Sequence, residues 1–477
     1  MAVPWTLRDL EYWDGRIREK VAEFGLNCYP QEFELCDHTQ MLSLMAYSGM
    51  PSHYPHWSYG KSFERQKTLY DHGVSGLPYE MVINSSPCIA YLMRQNSLAL
   101  QILTMAHVYG HNDFFANNFT FNHTRAELVV ETFKNQANRV RAYTADPSIG
   151  IDKVEAILDA AHALSMQCRR NPAIHKRDAT EQKQAAMAGP PNDPFKSVHK
   201  RPVAQTPDLN RVPLEPEEDV LLFIRDHASN MPGWQKDLLT IVHDQMQYFL
   251  PQIETKIMNE GWACYWHRTI MNSLELPSEI HMEFLVRHNQ VVRPIPNDIN
   301  PYHLGLKMWD DIVRRHDEPS FDEIEEMQQS PQAVSRPSGR EAIFHIREVD
   351  RDVSFLRRFL TRKLMHEMDM IEMEPEGDDL IVSRVSDEDN WKEIKRTLIA
   401  YTGMGSTPVI RIIDSDHGGN RTLLLRHEYD GRELLLEYAE RTLRYVQQLW
   451  GRRVVLQTVL DDKEVAFSWD GSDFEQA

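Results

Sequence analysis

Apolar residues in this chain recur first at helical intervals and later at alternating ones, and the change in spacing outlines its organisation. In residues 5–24, Leu7, Leu10, Ile17, Val21 and Phe24 fall at near-helical spacing, which predicts an opening amphipathic helix. Residues 76–92, GLPYEMVINSSPCIAYL, read as a strand, a turn at NSSP and a second short apolar piece. A helix follows from about Asn96, with Asn96 or Ser97 as its cap. Residues 151–168 predict another helix. Three more are expected at 217–229, 234–249 and 252–274, the last with Pro251 in its first turn. Beyond residue 342 the texture alternates. Helices are expected over 352–366, 387–402 and 433–450, with strands around DMIEMEPEGDDLIVSRV, TPVIRIID, RTLLLRHEY and RRVVLQTVLDDKEVAFSW. That alternation predicts a small α+β domain with antiparallel hairpins.

Composition places the boundaries. Residues 171–213 hold seven prolines and one aromatic residue, Phe195, which is too little apolar surface for a core, so this stretch reads as a flexible insertion. Residues 315–341 are acidic and rich in Pro and Ser and read as a linker. The expected architecture is therefore α+β: a mainly helical domain over 1–314 with a short β segment, then a smaller α+β domain over 342–477. A chain of 477 residues suits two or three domains. Its 52 basic and 71 acidic side chains leave a net charge of −19, which argues against nucleic acid as the main partner. Five scattered cysteines do not read as a disulfide framework, the N-terminus shows no secretory signal, and no apolar run is long enough to span a bilayer. These features point to the cytoplasm.

The chemistry lies on two predicted helices. On the first, Leu100, Leu103, His107, His111 and Phe114 share a face, because four residues advance about 400° around an α-helix. On the second, Ile253, Ile257, Glu260, Cys264, His267 and Met271 follow the same rule. Both apolar stripes thus contain imidazole or carboxylate. Such groups cost several kcal/mol to bury unpaired, so each is expected to meet a partner. A divalent metal, with zinc the best match to two histidines and a carboxylate, would join His107, His111 and Glu260. The competing expectation is a hydrogen-bonded polar cluster with no ion, and with 21 histidines a pair at spacing four is weak evidence by itself. Gly110 would let a second backbone approach beside the motif.

Several longer segments, HYPHWSYGKSFER, GLPYEMVINSSPCIAYL, MAHVYGHNDFF, MNEGWACYWH, NPYHLGL and LRHEYDGRELLLEYAERTL, resemble the bacterial SpoVR (stage V sporulation protein R) family over nearly the whole chain. The resemblance implies a cytoplasmic protein linked to the spore cortex, a peptidoglycan layer, or in non-sporulating bacteria to stress. There it is encoded beside a PrkA-type serine protein kinase and a von Willebrand A-like protein. EGWACYW is also similar to the segment that supplies the glutamate ligand in zincin-like HExxH metallopeptidases, which carries over His107, His111 and Glu260 as ligands. The departure is Val108, standing where those enzymes keep their general base. Glu80 is a candidate replacement base, and His267 a candidate fourth ligand or support. His53 and His56 are candidates for substrate contact in an aromatic segment. Two functions follow as expectations: a metal-dependent, peptidase-like hydrolase with a modified base, or a non-catalytic metal-containing regulator acting with the kinase and the von Willebrand A-like partner.

Overall fold

A computed structural model describes residues 5–72, 78–170, 174, 176–188, 208–295, 298–320, 323, 337–376, 379–385, 387 and 390–476. It is mixed α+β, helical in its N-terminal region and carrying its larger sheet near the C-terminus. By packing, the chain divides into two units, each built from two stretches: Met1–Asn138 with Leu250–Ser406, and Arg139–Phe249 with Thr407–Ala477. The compositional division at 315–341 does not follow this pattern, because composition records where apolar residues thin out and not which distant stretches pack together. Much of 315–341, like much of the 171–213 insertion, lies outside the described residues. Within the latter, a helix at Ala179–Ala188 buries no side chain.

The first unit opens with helix α1 (Leu7–Glu23), where the Thr6 N–H and hydroxyl both donate to Asp9 and Leu10, Trp13, Ile17 and Val21 turn inward. Strand β1 (Gln31–Cys36) follows, then helices α2 (His38–Ala46) and α3 (Trp57–Asp71). Strands β2 (Glu80–Ile83) and β3 (Cys88–Met93) complete a small sheet of order β1-β3-β2, with β3 parallel to β1 and antiparallel to β2. The turn at NSSP joins β2 to β3 as expected. β1 was not visible in the sequence, since charged residues alternate through it.

Helix α4 (Leu98–Asn117) is capped by Ser97, whose hydroxyl accepts from the Leu100 N–H. It is buried on every face from Ala99 to Phe115, unlike the one-sided stripe that spacing suggested, because α1, the small sheet and several helices surround it. Helix α10 (Lys256–Ser273) lies beside it. Contrary to expectation, Pro251 does not open this helix; it sits inside the preceding helix α9 (Gly233–Glu254). The break comes at Thr255, and the Asp352 carboxylate caps α10 by accepting from the Ile257 and Met258 N–H groups at 2.8 and 2.9 Å. The capping residue lies 95 positions downstream, so no local signal marked the true start.

Glycines set how closely α10 approaches its neighbours. A Cβ on Gly110 would lie 2.6 Å from the Ala263 Cα, and one on Gly261 would lie 2.3 Å from the Gly305 carbonyl carbon of α12 (Pro301–Asp317). Helix α11 (Ser278–Val291) packs on α4. The core they share includes Trp262, Trp266 and Trp309.

The second unit contains α6 (Ile151–Leu164), α8 (Val220–His227) and a five-stranded sheet. Its strands β6 (Ile410–His417), β7 (Thr422–His427), β8 (Val454–Leu460), β9 (Lys463–Trp469) and β10 (Phe474–Gln476) run in spatial order β10-β9-β8-β7-β6. The hairpins β6–β7 and β8–β9 are antiparallel as expected. They join through a parallel β7–β8 pair, which a crossover through the helix at Leu436–Trp450 makes possible.

Candidate metal centre

Four side chains expected from the sequence meet in the first unit. His107 and His111 project from α4 with ring centroids 4.6 Å apart. Glu260 reaches them from α10: its Oε2 lies 3.4 Å from His111 Nε2 and 3.7 Å from His107 Nε2. Glu80, on β2, brings Oε1 to 3.9 Å from His107 Nε2, and Glu80, His107 and His111 each offer a ligand atom within 4.8 Å of the other two. The imidazoles are nearly sealed, at 5% and 8% side-chain exposure, whereas Glu80 and Glu260 keep 18% and 19%.

The backs of the rings are occupied. His111 Nδ1 lies 2.8 Å from Asn259 Oδ1, which can only accept, so Nδ1 carries the proton. His107 Nδ1 lies 2.8 Å from His267 Nδ1, and His267 Nε2 lies 2.7 Å from His288 Nδ1. His267 therefore sits behind His107, away from Glu260. Burial, then the neighbouring imidazoles, pushes the His267 pKa well below the usual range, and burial pulls His288 down to about 4.

Tyr302 of α12 stands against the same carboxylates; the Glu260 charge, then burial, then Glu80 push its hydroxyl pKa up. The sequence reading did not single out this tyrosine, although it falls in the NPYHLGL segment. Asn259, adjacent to Glu260, was also missed. No sequence signal marked it, since the position before the glutamate lies outside the stripe that helical spacing picks out.

The residues fit a divalent cation. Glu260 Oε2 is buried with no hydrogen-bond partner. In the absence of an ion, burial disfavours charge on His111 but Glu260 outweighs it and raises its pKa; burial likewise opposes ionisation of Glu260, which the two histidines nevertheless hold down. A charge-assisted hydrogen bond would close to about 2.7–2.9 Å, and these contacts stay at 3.4 and 3.7 Å. Nitrogen and oxygen ligands of tetrahedral zinc, bound at about 2.0–2.1 Å, stand about 3.3 Å from one another. The front of the cluster has the wider, ligand-like spacing. The 2.8 Å contact between His107 and His267 is too short for an ion between them and is a hydrogen bond.

His53 and His56 fold elsewhere in the unit. His53 stacks on Tyr47 and pairs with the Tyr59 hydroxyl at 3.2 Å, while His56 caps α3 by accepting from the Ser58 N–H. Both are buried within an aromatic cluster that includes Tyr54. Val108 is fully buried, and its isopropyl group has no atom that can accept a proton.

All five cysteines are unpaired, and among the described residues no helix is long and apolar enough to cross a membrane. A family model described as SpoVR like protein matches residues 4–407, and one described as SpoVR-like C-terminal domain matches 408–461. The junction between them falls one residue from the Ser406/Thr407 division between the two packed units. "Uncharacterized protein YcgB" of Escherichia coli (strain K12) is 33% identical over 484 residues, covering 97% of this chain and 94% of its own length. No solved structure matches. With both family models and a full-length relative aligned to it, the chain belongs to the SpoVR family.

Proposed function

We propose that His107, His111 and Glu260 bind a divalent cation, zinc by the donor set, in a zincin-like arrangement, and that the protein is a cytoplasmic metal-dependent hydrolase of peptidase-like type. The observation that carries this reading is the orphaned Glu260 oxygen facing two imidazole Nε2 atoms at ligand-to-ligand spacing. A cation there would supply Lewis acidity toward a carbonyl or a water. Glu80 takes the place of the missing base: its carboxylate flanks His107, and burial raises its pKa above the ordinary value despite the pull of His107 and His111, which suits a proton acceptor. The substrate is a peptide or a peptidoglycan precursor, in keeping with a role in the spore cortex or a stress response.

Elemental analysis of untagged protein purified without chelators tests the site. Wild type is expected to carry a divalent metal, and His107→Ala and Glu260→Ala to lose it. A wild type that remains metal-free after equilibration with zinc would sink the reading. Glu80→Gln is expected to keep the metal and lose peptide hydrolysis.

A second reading rests on Val108, apolar and fully buried where a protease keeps its base. On it the chain is a metal-stabilised regulator that docks a PrkA-type serine protein kinase and a von Willebrand A-like protein. Full cellular function in Glu80→Gln, together with capture of those two partners by the wild-type chain, favours that alternative.

A further inference from the structure

Each neutral imidazole has one N–H and one bare nitrogen, so a row of hydrogen-bonded imidazoles has a direction. In the row His107–His267–His288, the direction follows from distance. If His267 donated to His107, the remaining proton of His107 would sit on Nε2. There its neighbours Glu260 and Glu80 lie at 3.7 and 3.9 Å, beyond the range of about 2.7–3.2 Å in which an N–H···O bond forms. Among the described residues, the acceptor within range of His107 is His267 Nδ1, at 2.8 Å. His107 therefore donates from Nδ1. His267, accepting at Nδ1, carries its own proton on Nε2 and gives it to His288 Nδ1 at 2.7 Å, and the His288 proton moves to Nε2.

We infer that His267 and His288 are positioning residues that hold His107 in its Nδ1–H form, with the Nε2 lone pair kept on the side facing Glu260. Asn259 does the same for His111 through one carbonyl oxygen. The two imidazoles are thereby oriented through different means, one by an amide on the adjacent turn of α10 and one by a relay that crosses from α4 through α10 to α11. His267 is fully buried, and His288 keeps 7% exposure. The proton order rests on hydrogen-bond geometry alone; its consequence, a cation receptor with both lone pairs presented, rests on the metal-centre reading. Ligating histidines are commonly oriented by an acceptor on the other ring nitrogen. Here that acceptor is another imidazole, which can itself pass the polarity outward.

The test uses the full chain labelled with ¹⁵N in histidine, and cobalt(II) as a spectroscopic probe. The imidazole ¹⁵N spectrum is expected to show protons on His107 Nδ1, His267 Nε2 and His288 Nε2, with and without metal. His267→Ala should weaken cobalt binding by about 10- to 100-fold, and His267→Gln, whose side-chain oxygen accepts in place of Nδ1, should recover most of the loss. Should His267→Ala fail to fold, the wild-type spectrum and His288→Ala, expected to weaken binding less, decide the matter. The opposite proton order, or unchanged cobalt affinity in the folded His267 and His288 variants, overturns the positioning role and leaves the metal centre standing. A wild type that binds no cobalt yet shows the stated order overturns the metal centre and leaves the relay standing.

Discussion

Asp113 sits two residues beyond His111 and has no exposure to water, yet its carboxylate has a full set of partners. It accepts from Arg347 Nη1 at 2.6 and 2.7 Å, from the Asn27 N–H at 2.8 Å and from the Trp262 indole at 2.9 Å. The Arg347 guanidinium lies over the Phe344 ring and is itself buried. Replacing one member of such a pair strands the other charge in the core. Asp113→Asn is therefore expected to lower stability by about 3–5 kcal/mol, read as a fall in the urea midpoint at constant slope. An Asp113→Asn protein of wild-type stability would show that Arg347 finds another counter-charge. Asn259 works through the site as well: Asn259→Ala leaves the buried His111 Nδ1–H unpaired and should cost about 1–3 kcal/mol, while reducing cobalt affinity by about 10- to 100-fold. At this scale the sequence identified His107, His111, Glu260 and Glu80 as the polar residues to watch. It did not identify Asn259 or Tyr302, because nothing in a residue's own neighbourhood reports which distant ring it will face.

Between elements, the site depends on how closely α4 and α10 approach. Gly110 lets the Ala263 backbone come within a distance that a methyl group would occupy, and this close approach is what brings Glu260 within reach of His107 and His111. Gly110→Ala must push the helices apart. It is expected to cost about 1–3 kcal/mol and to abolish metal binding under conditions where the protein is still folded. If thermal unfolding and cobalt titration of this variant match wild type, the helices have freedom that the contact distance excludes. Gly261→Ala tests the other side of α10: it presses on the Gly305 backbone and should destabilise by a similar amount. The spacing of apolar residues foretold both α4 and α10, and a glycine in a buried helix hinted at close packing. The start of α10 was not legible, since Asp352, from another part of the chain, decides it.

At the scale of the whole molecule, the second unit contains a group that couples stability to pH. His243 lies 2.8 Å from Asp219, which also caps α8 by accepting from the Leu222 N–H. Burial opposes the charged imidazole, but Asp219 and Asp244 outweigh it and raise the His243 pKa to about 9. A histidine whose folded pKa exceeds its unfolded value of about 6.5 stabilises the fold fully below that value and loses the contribution as pH rises through the folded pKa. The melting temperature is therefore expected to fall between about pH 6.5 and 9, and His243→Gln should flatten that slope. A slope that persists unchanged in the variant would assign it to other groups.

Most regular elements follow from the chain read locally, because helix and strand periodicities are properties of neighbouring residues: α1, α4, the β2–β3 hairpin and the hairpins of the C-terminal sheet all lie where apolar spacing placed them. The same local rule put His107 with His111 on one helical face and Glu260 with His267 on another. Tertiary packing determined everything that depends on separations of a hundred residues or more. It joined Leu250–Ser406 to the N-terminal stretch, brought Glu260 to His107 and His111, and turned His267 from a candidate ligand toward a place behind His107. The physical reason is that periodicity determines which way a side chain leaves its own helix, while the partner it meets depends on backbone approach, and here that approach is set by Gly110, Gly261 and Gly305 through atoms they lack.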